Sequence, residues 1–171
     1  MAQRLVLAIM LQAPLINLSP PLSWLKGDHL VTTDREKISL DVVHRFLSNE
    51  STWAKNIPRL TVARAIEYSL CFALFSNEVQ IGFARVITDY ATIAYLGDVF
   101  VLEAHRGQGL SRWLMECVTN HPDLQGLRRW MLLTSDAHGL YEKSGFTALG
   151  APSKWMEKFT INAYENTNVN A

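Results

Sequence analysis

One stretch of this sequence, residues 97–120, constrains the fold of the chain more than any other. A β-rich run from Gly97 to Leu102 leads into a turn with two glycines, and an apolar stripe follows at helical spacing. The stripe takes positions i, i+3, i+4, i+7 and i+8, which are Leu110, Trp113, Leu114, Cys117 and Val118. We therefore predict a strand, a glycine-rich turn and an amphipathic helix in that order.

The turn between this strand and helix has the chemistry of an anion site. The first N–H groups of a helix have no partner within the helix, and its dipole is positive at that end. Gly107 and Gly109 let an anion approach the backbone without meeting a Cβ, and Arg106 adds a positive charge. The turn is not a P-loop, because no Gly-Lys-Ser/Thr follows, and Arg112 replaces the third glycine of the dinucleotide fingerprint. We predict a cradle for a pyrophosphate, and the turn by itself leaves open which one.

The composition excludes several classes of protein. The chain has 171 residues, which suits one domain, and 49% of them are hydrophobic, which is enough for a sizeable core. Lys and Arg number 16, as do Asp and Glu, so the basic surplus of a dedicated nucleic-acid binder is missing. Cys71 and Cys117 lie in apolar patterns and are expected to be buried free thiols. The five histidines show no metal-ligand spacing, so we expect no metal.

The pattern along the chain predicts one domain with a segment on either side. The apolar run Leu5–Leu11 is too short to span a bilayer, and the Pro20-Pro21 pair breaks any regular element. We therefore expect residues 1–27 to be a poorly ordered extension, or a segment translated upstream of the domain's natural start. A signal peptide is the alternative for this segment, although the region that would be cleaved has no clean small-x-small site. Residues 28–160 would form the domain, and residues 161–171 a frayed polar tail.

The expected element order within the domain is β-α-α-β-β-β-α-β-α-β-β. Two features matter most near its end: Asp136 is a good N-cap for a helix from Ala137 to Ser144, and two strands would close the sheet. The predicted strands are His29–Thr33, Ser69–Phe75, 79–87, Thr92–Leu102, Leu127–Thr134, Phe146–Leu149 and Lys154–Phe159. Helices are predicted after Asp34 or Ser39, over Pro58–Tyr68, after Gly109 and over Ala137–Ser144.

Two motifs together resemble those of one enzyme family. Arg106-Gly107-Gln108-Gly109-Leu110-Ser111 is similar to the acyl-CoA loop of the GNAT acetyltransferases, Arg/Gln-x-x-Gly-x-Gly/Ala, with serine in the last small position. The segment Ala137–Phe146 resembles the family's Ala-x-x-Leu-Tyr-x-x-x-Gly-Phe signature. The resemblance implies an α+β fold, with a mixed, mostly antiparallel central sheet of about six to seven strands flanked by about four helices.

The resemblance also implies a substrate and the residues that hold it. The substrate would be acetyl-CoA, with its pyrophosphate at Arg106, Gly107, Gln108, Gly109, Leu110 and Ser111. In the family, the pantetheine arm lies along the fourth strand like an added β-strand, which places its backbone contacts at Phe100 and Val101.

Three side chains are candidates for the chemistry. Tyr141 matches the family's tyrosine that protonates the departing thiolate, and the alternative is a tyrosine that packs on Phe146. Asp98 lies where many relatives keep a carboxylate that acts as a base through water, or it could pair with Arg85. His138 precedes Tyr141 by three residues and could share its helix face, or it could be a surface histidine.

We therefore expect a cytoplasmic acyl-CoA-dependent N-acyltransferase acting on a primary amine of a small molecule or peptide. A non-catalytic acyl-CoA sensor and a nucleotide-binding interaction protein stay open as alternatives. No nucleic-acid or membrane partner is expected, and a homodimer is possible by analogy with the family. Trp53 lies where the family builds its acceptor wall, or it folds onto the core.

Overall fold

The fold is built around one six-stranded sheet, as seen in a computed structural model that describes residues 18–161 and 163–164. The strands are β1 (Ser23–Lys26), β2 (His29–Thr32), β3 (Leu70–Ser76), β4 (Val79–Thr88), β5 (Ile93–Val101) and β6 (Arg129–Leu132). They lie in sequence order across the sheet. Neighbours are antiparallel except β5 and β6, which are parallel. The predicted α+β class with a mostly antiparallel sheet is confirmed.

The sheet begins earlier in the chain than we predicted. Residues 23–26, which we assigned to a poorly ordered extension, form the edge strand β1 and pair with His29–Thr32 across a tight turn. Gly27 permits this turn, since its φ is +57°. Ser19 also ties the preceding segment to the body of the protein, because its N–H and hydroxyl both donate to the carboxylate of Asp123. Residues 1–17 lie outside the described residues.

Two helices cover one face of the sheet. The first, α1 (Leu40–Arg45), is capped by Ser39, whose hydroxyl accepts from the N–H of Val42, and a π-helical turn at Phe46–Glu50 continues it. The second is α2 (Arg59–Glu67), and Pro58 precedes it. Their apolar sides form what we call the α1–α2 core, together with side chains of β3, β4 and β5. Its buried members are Val43, Phe46, Leu47, Ala54, Ile57, Val62, Ile66, Cys71, Phe83 and Phe100.

The predicted central helix covers the opposite face. It is α3 (Leu110–Thr119), and all five residues of its predicted stripe are buried. With β6 it completes a β5–α3–β6 crossover between parallel strands. We call the apolar layer beneath α3 the α3-side core, and α4 (His138–Glu142) packs at its end through Leu140 and Tyr141.

Two predictions near the C-terminal end are wrong. No strand forms at Phe146–Leu149 or Lys154–Phe159, where the chain is irregular and largely exposed apart from a 3₁₀ turn at Pro152–Lys154. Gly150 and Pro152 interrupt this segment, and proline has no N–H to offer to a ladder. Asp136 is not the N-cap either, because α4 begins one residue later than predicted, and the hydroxyl of Thr134 accepts from the N–H of Ala137.

Cys71 and Cys117 are free and buried, as predicted. Within residues 18–161, no helix is both long enough and apolar enough to cross a membrane.

Candidate active site

The glycine turn has the backbone geometry of an anion cradle. Gly107 and Gly109 have φ of +77° and +74°, in the left-handed region, and Gly109 is the N-cap of α3 without any side-chain cap. A Cβ at either glycine would point into open space, so their role lies in the φ that they permit. Among the described residues, no side chain caps the N–H groups that open α3. An anion at this position would meet both these donors and the positive end of the helix dipole.

The remaining residues of the predicted loop surround the same cradle. Gln108 is exposed, Leu110 is buried and anchors the helix in the α3-side core, and Ser111 is half-buried in the first turn. Arg112 turns away to Glu116, with 3.0 Å between its Nε and Oε1 of the glutamate. The predicted loop is thus one continuous exposed turn above a buried anchor.

Beside this turn, strands β5 and β6 part. Among the described residues, β6 pairs with β5 from Ile93 to Leu96 only, whereas β5 runs on to Val101. The edge of β5 beyond Leu96 therefore has no strand on the β6 side. An open edge of this kind can accept an extended amide-bearing ligand as an added strand.

Val101 and Phe100 direct their peptide groups to opposite sides of β5. Leu102 donates its N–H to Ile81 of β4, so by alternation the peptide groups of Val101 point away from β4. The Val101 carbonyl already accepts from Nε of Arg106 at 3.0 Å. The carbonyl of Phe100 faces β4, where it would lie 2.8 Å from a Cβ on Gly82. Of the two predicted backbone contacts, only Val101 therefore faces the opening.

Asp98 lies at an irregularity in β5. Arg85 pairs with Gly97 and Phe83 with Phe100, so β5 carries one extra residue there, which is a β-bulge. Asp98 adopts a φ of +53°, which an aspartate tolerates better than most residues. In a regular strand, Asp98 would lie on the same face as Phe100. The extra residue at the bulge changes this alternation, so strand position alone does not decide where the Asp98 side chain lies.

The bulge turns the Asp98 carboxylate into a cluster of polar side chains. Oδ2 accepts from Nε of Arg85 at 2.7 Å, and Oδ1 accepts from the indole N–H of Trp53 at 3.2 Å. Arg85 also donates to the hydroxyl of Ser69 at 3.2 Å. The Arg85 and Asp98 side chains are only 16% and 14% exposed, so water screens this ion pair less than a surface pair. A carboxylate offers about four lone-pair positions, so room remains for further donors.

Trp53 borders this cluster from a loop between the π-helical turn and α2. Its ring is 54% exposed and lies 6.1 Å from the ring of Phe46, measured between centroids. The expectation that it folds onto the core therefore fails. The Trp53 side chain lies at the surface beside Asp98.

Tyr141 lies on the other face of the sheet, at the end of the α3-side core. Its ring packs edge-on against Phe146, with 6.0 Å between centroids. Burial raises the pKa of its hydroxyl above the ordinary phenol value, and the charge of Asp136 raises it further. The hydroxyl is therefore held in its protonated form at neutral pH and can donate.

A cavity of about 640 Å³ opens beside Tyr141. Tyr95, Leu132 and His138 line it together with Tyr141, and its wall is mainly apolar. His138 is exposed on the first turn of α4 and shares this cavity with Tyr141, as the three-residue spacing predicted. Asp98 is not part of its lining, but Tyr95 is, and the Tyr95 ring also lies beside Gly97 and Arg85, next to the Asp98 cluster.

Sequence reasoning missed two features of this site. The first is the contact of Trp53 with Asp98, which joins residues 45 positions apart and has no local signal. The second is Tyr95, whose ring lies 3.4 Å from where a Cβ on Gly97 would stand. The alternation of β5 could have placed Tyr95 on the same face as Gly97, since the two are two positions apart in the sequence. Within residues 18–161, no group of three or more His, Cys, Asp or Glu side chains could hold a metal ion.

A family model and a curated relative match this chain. Residues 67–148 match the model of the acetyltransferase (GNAT) domain. A candidate acetyltransferase of Gibberella zeae is 35% identical in an alignment of 152 residues, and the match covers 76% of this chain and 85% of the relative.

Solved structures agree with this match. A GNAT-family candidate acetyltransferase of Xanthomonas campestris pv. campestris is 49% identical and has a TM-score of 0.77, covering 86% of this chain and 99% of the other. A candidate acetyltransferase of Clostridium acetobutylicum, solved with acetyl-CoA, is 17% identical with a TM-score of 0.58. It covers 77% of this chain and 94% of its own, and at this identity it shows the fold alone.

Proposed function

Because this chain belongs to the GNAT acetyltransferase family, we propose that it transfers an acetyl group from acetyl-CoA to a primary amine of a small molecule or peptide. The amine would attack the thioester directly while both substrates are bound. The observation that carries the proposal is the combination of an uncapped helix N-terminus at Gly109 with an open edge of β5 beside it. One suits a pyrophosphate and the other an arm that contains amides.

The residues of the cradle fit coenzyme A. The pyrophosphate would be held by the N–H groups from Gly107 to Ser111, and Arg106 would stay beside it through its bond to the Val101 carbonyl. The N–H of Val101, which points away from β4, would donate to the pantetheine arm. When bound, acetyl-CoA supplies the activated acyl carbonyl and a thiolate leaving group.

In this proposal, Tyr141 acts as the general acid. Acetyl transfer forms a C–N bond and breaks a C–S bond, and the departing thiolate needs a proton. A tyrosine hydroxyl in water has a pKa of ~10 and is protonated at neutral pH, whereas a thiol ionises near ~8.5. The raised pKa of Tyr141 means that the hydroxyl is protonated at neutral pH, so it is available as a hydrogen-bond donor to the thiolate.

In the same proposal, Asp98 receives the incoming amine. An amine near neutral pH is an ammonium and must lose a proton before it attacks. The unused lone pairs of the Asp98 carboxylate are oriented by Arg85 and Trp53 and can accept the amine N–H directly or through water. His138, exposed on the cavity of Tyr141, is the second candidate for taking this proton.

We also propose a cytoplasmic protein. Its two cysteines are free thiols, as is usual in a reducing compartment.

The direct test measures binding and thiol release in the same preparation. Titration calorimetry with acetyl-CoA, ATP and NAD⁺ should give binding to acetyl-CoA alone. Thiol release from acetyl-CoA should then depend on added primary amine. Binding without release for every amine would indicate a sensor, and equal binding of ATP or NAD⁺ would indicate a nucleotide-binding module.

A further inference from the structure

One face of β4 and β5 carries an unusual set of exposed side chains beyond the reach of α1 and α2. Alternation places Phe83, Arg85 and Ile87 of β4 on the same face, and Phe83 belongs to the α1–α2 core. On β5, Ala94 and Leu96 face the α3-side core, so Tyr95 and Gly97 share the opposite face with Arg85. The helices cover Phe83 completely but leave Ile87 and Tyr95 at 45% and 36% exposure.

These residues form a continuous surface that starts at Asp98. Arg85 lies opposite Gly97, and Ile87 lies opposite Tyr95, in the antiparallel register. If Gly97 had a Cβ, that atom would lie 3.4 Å from the Tyr95 ring and 3.8 Å from a guanidinium nitrogen of Arg85. Gly97 therefore leaves a notch between an aromatic ring and the Arg85–Asp98 pair. We call the surface formed by Trp53, Arg85, Ile87, Tyr95, Gly97 and Asp98 the β4–β5 platform.

The charge on this platform cancels. Arg85 and Asp98 form an ion pair with 2.7 Å between Nε and Oδ2, and both are mostly buried. For a ligand with several positive charges, the platform offers only the Asp98 carboxylate, which Arg85 already neutralises. For a phosphate, it offers only the Arg85 guanidinium, which Asp98 already neutralises. An amine with a single polar end loses nothing by this pairing, because the Asp98 carboxylate still has lone pairs to accept an N–H.

The rest of the platform is apolar and aromatic. Trp53 at one end is more than half exposed, and Ile87 and Tyr95 follow on the other side of the notch. The Tyr95 ring borders the notch directly, since it lies 3.4 Å from where a Cβ on Gly97 would stand. Exposed aromatic rings beside a polar group suit a ligand that has an apolar body and one polar end.

On these grounds, and resting on the proposed function, we propose that the β4–β5 platform binds the acceptor, and that this acceptor is a primary amine with an apolar or aromatic body. Asp98 takes the amine, while Trp53 and Tyr95 contact the body. Arg85 is a positioning residue, because it acts by holding the Asp98 carboxylate.

The test compares three acceptors of different charge at saturating acetyl-CoA: 2-phenylethylamine, spermidine and glucosamine 6-phosphate. We expect kcat/KM for 2-phenylethylamine to exceed that for each of the others by at least about tenfold, since one desolvated apolar group is worth about that much in specificity. Higher kcat/KM for spermidine or for the sugar phosphate would overturn the inference and leave the acetyltransferase proposal intact. If no amine supports thiol release, the proposed function fails, and the inference fails with it.

Variants then locate the effect on the platform. Tyr95→Ala and Trp53→Ala should each raise KM for 2-phenylethylamine about tenfold, with the Kd of acetyl-CoA unchanged. Leu25→Ala is the matched control, because Leu25 is an exposed apolar residue on β1 at the opposite edge of the sheet. An unchanged KM in both platform variants would contradict the inference. Loss of a dimer in Tyr95→Ala at unchanged KM would also contradict it, because the platform would then be a subunit interface.

Discussion

In the proposed mechanism, the chemistry at the scale of single residues depends on two side chains, Tyr141 and Asp98. Tyr141 holds a proton more firmly than a free phenol, and Asp98 is oriented by two donors at the bulge of β5. Each makes a prediction that separates its chemical role from a purely structural one.

Replacing Tyr141 by phenylalanine should lower kcat by about 100-fold or more, because general-acid catalysis contributes on that scale. KM for acetyl-CoA should change little, and the ring contact with Phe146 remains, so the free energy of unfolding should be nearly unchanged. Steady-state thiol release and chemical denaturation measure the two quantities. A variant as active as the wild type would remove Tyr141 from the mechanism.

Replacing Asp98 by asparagine keeps an acceptor for Trp53 but leaves the mostly buried Arg85 without its counter-charge. We expect kcat/KM for the amine to fall, the Kd of acetyl-CoA to stay constant and stability to drop by about 3 kcal/mol. Asp41→Asn is the control, because Asp41 makes an exposed ion pair with Arg59 at 2.8 Å, and its loss should cost less than about 1 kcal/mol. Equal losses of stability in the two variants would show that the Arg85–Asp98 pair is no more than a surface contact.

At this scale, sequence identified individual residues better than their partners. Tyr141 and the glycine turn follow from local motifs, and Arg85 was anticipated as one possible partner of Asp98. The sequence did not predict the bulge, because the hydrophobic pattern of β5 is too short to reveal one extra residue. Trp53 was placed near the acceptor wall, but its bond to Asp98 depends on how a loop folds across the sheet.

At the scale of elements, the site consists of a turn, a strand edge and a helix end. β5 delivers the chain to the turn, α3 contributes its free N–H groups, and the early end of β6 leaves β5 open. The cradle therefore consists mainly of backbone N–H groups, and a side chain there would affect binding chiefly by occupying the space of the anion.

Gly109→Glu tests this dependence on the backbone. A glutamate there adds bulk and negative charge to the cradle, so binding of acetyl-CoA should be lost in calorimetry. The left-handed φ also costs a non-glycine residue about 1–2 kcal/mol of stability. Gly126→Glu provides the control, because Gly126 has a φ of +75° and open space around it but lies outside the cradle. Binding that survives in Gly109→Glu would overturn the assignment of this turn.

The elements that sequence predicted well are those with a strong periodic signal. The stripe of α3 and the apolar run of β3 identify buried residues, and the structure confirms them. The alternation along β4 is a poorer guide, because Ile81 and Phe83 are buried whereas Val79 and Ile87 are 64% and 45% exposed. β1 was missed because a four-residue edge strand next to Pro20 and Pro21 is too short for a recognisable period. The two closing strands were expected from their apolar content, but around Gly150 and Pro152 this content does not pair with β6.

At the scale of the whole molecule, the two halves of the candidate site lie mainly on opposite faces of the sheet, and Tyr95 borders both, because its ring lies beside Gly97 and also lines the cavity of Tyr141. The cradle and Tyr141 lie towards the α3-side core, whereas Asp98 and Trp53 lie towards the α1–α2 core. The gap between β5 and β6 joins the two sides, so an acyl donor and an acceptor could approach from opposite faces and meet there.

The stability of the whole fold should depend on pH through His121. This side chain is buried against Trp24 and Phe72, its Nδ1 accepts from the N–H of Asp123, and burial lowers its pKa. An unfolded histidine has a pKa of ~6.5, so below that pH the unfolded state binds more protons than the folded state. The stabilisation is therefore complete above pH ~6.5 and is lost as the pH falls below it.

Chemical denaturation across this pH range measures the effect. His121→Asn keeps an acceptor for Asp123 but cannot titrate, so its stability should decline less steeply than that of the wild type as the pH falls. Identical slopes for the two proteins would show that His121 contributes nothing to the pH dependence.

The measurement that tests the central claim most directly is identification of the product. The protein, acetyl-CoA and 2-phenylethylamine are incubated together, and mass spectrometry of the amine is compared with the thiol released over the same time course. We predict an N-acetylated amine that accumulates in equal amounts with free coenzyme A, and no thiol release without the amine. Thiol release without amide, or tight acetyl-CoA binding with no product from any primary amine, would contradict the assignment of this protein as an N-acetyltransferase.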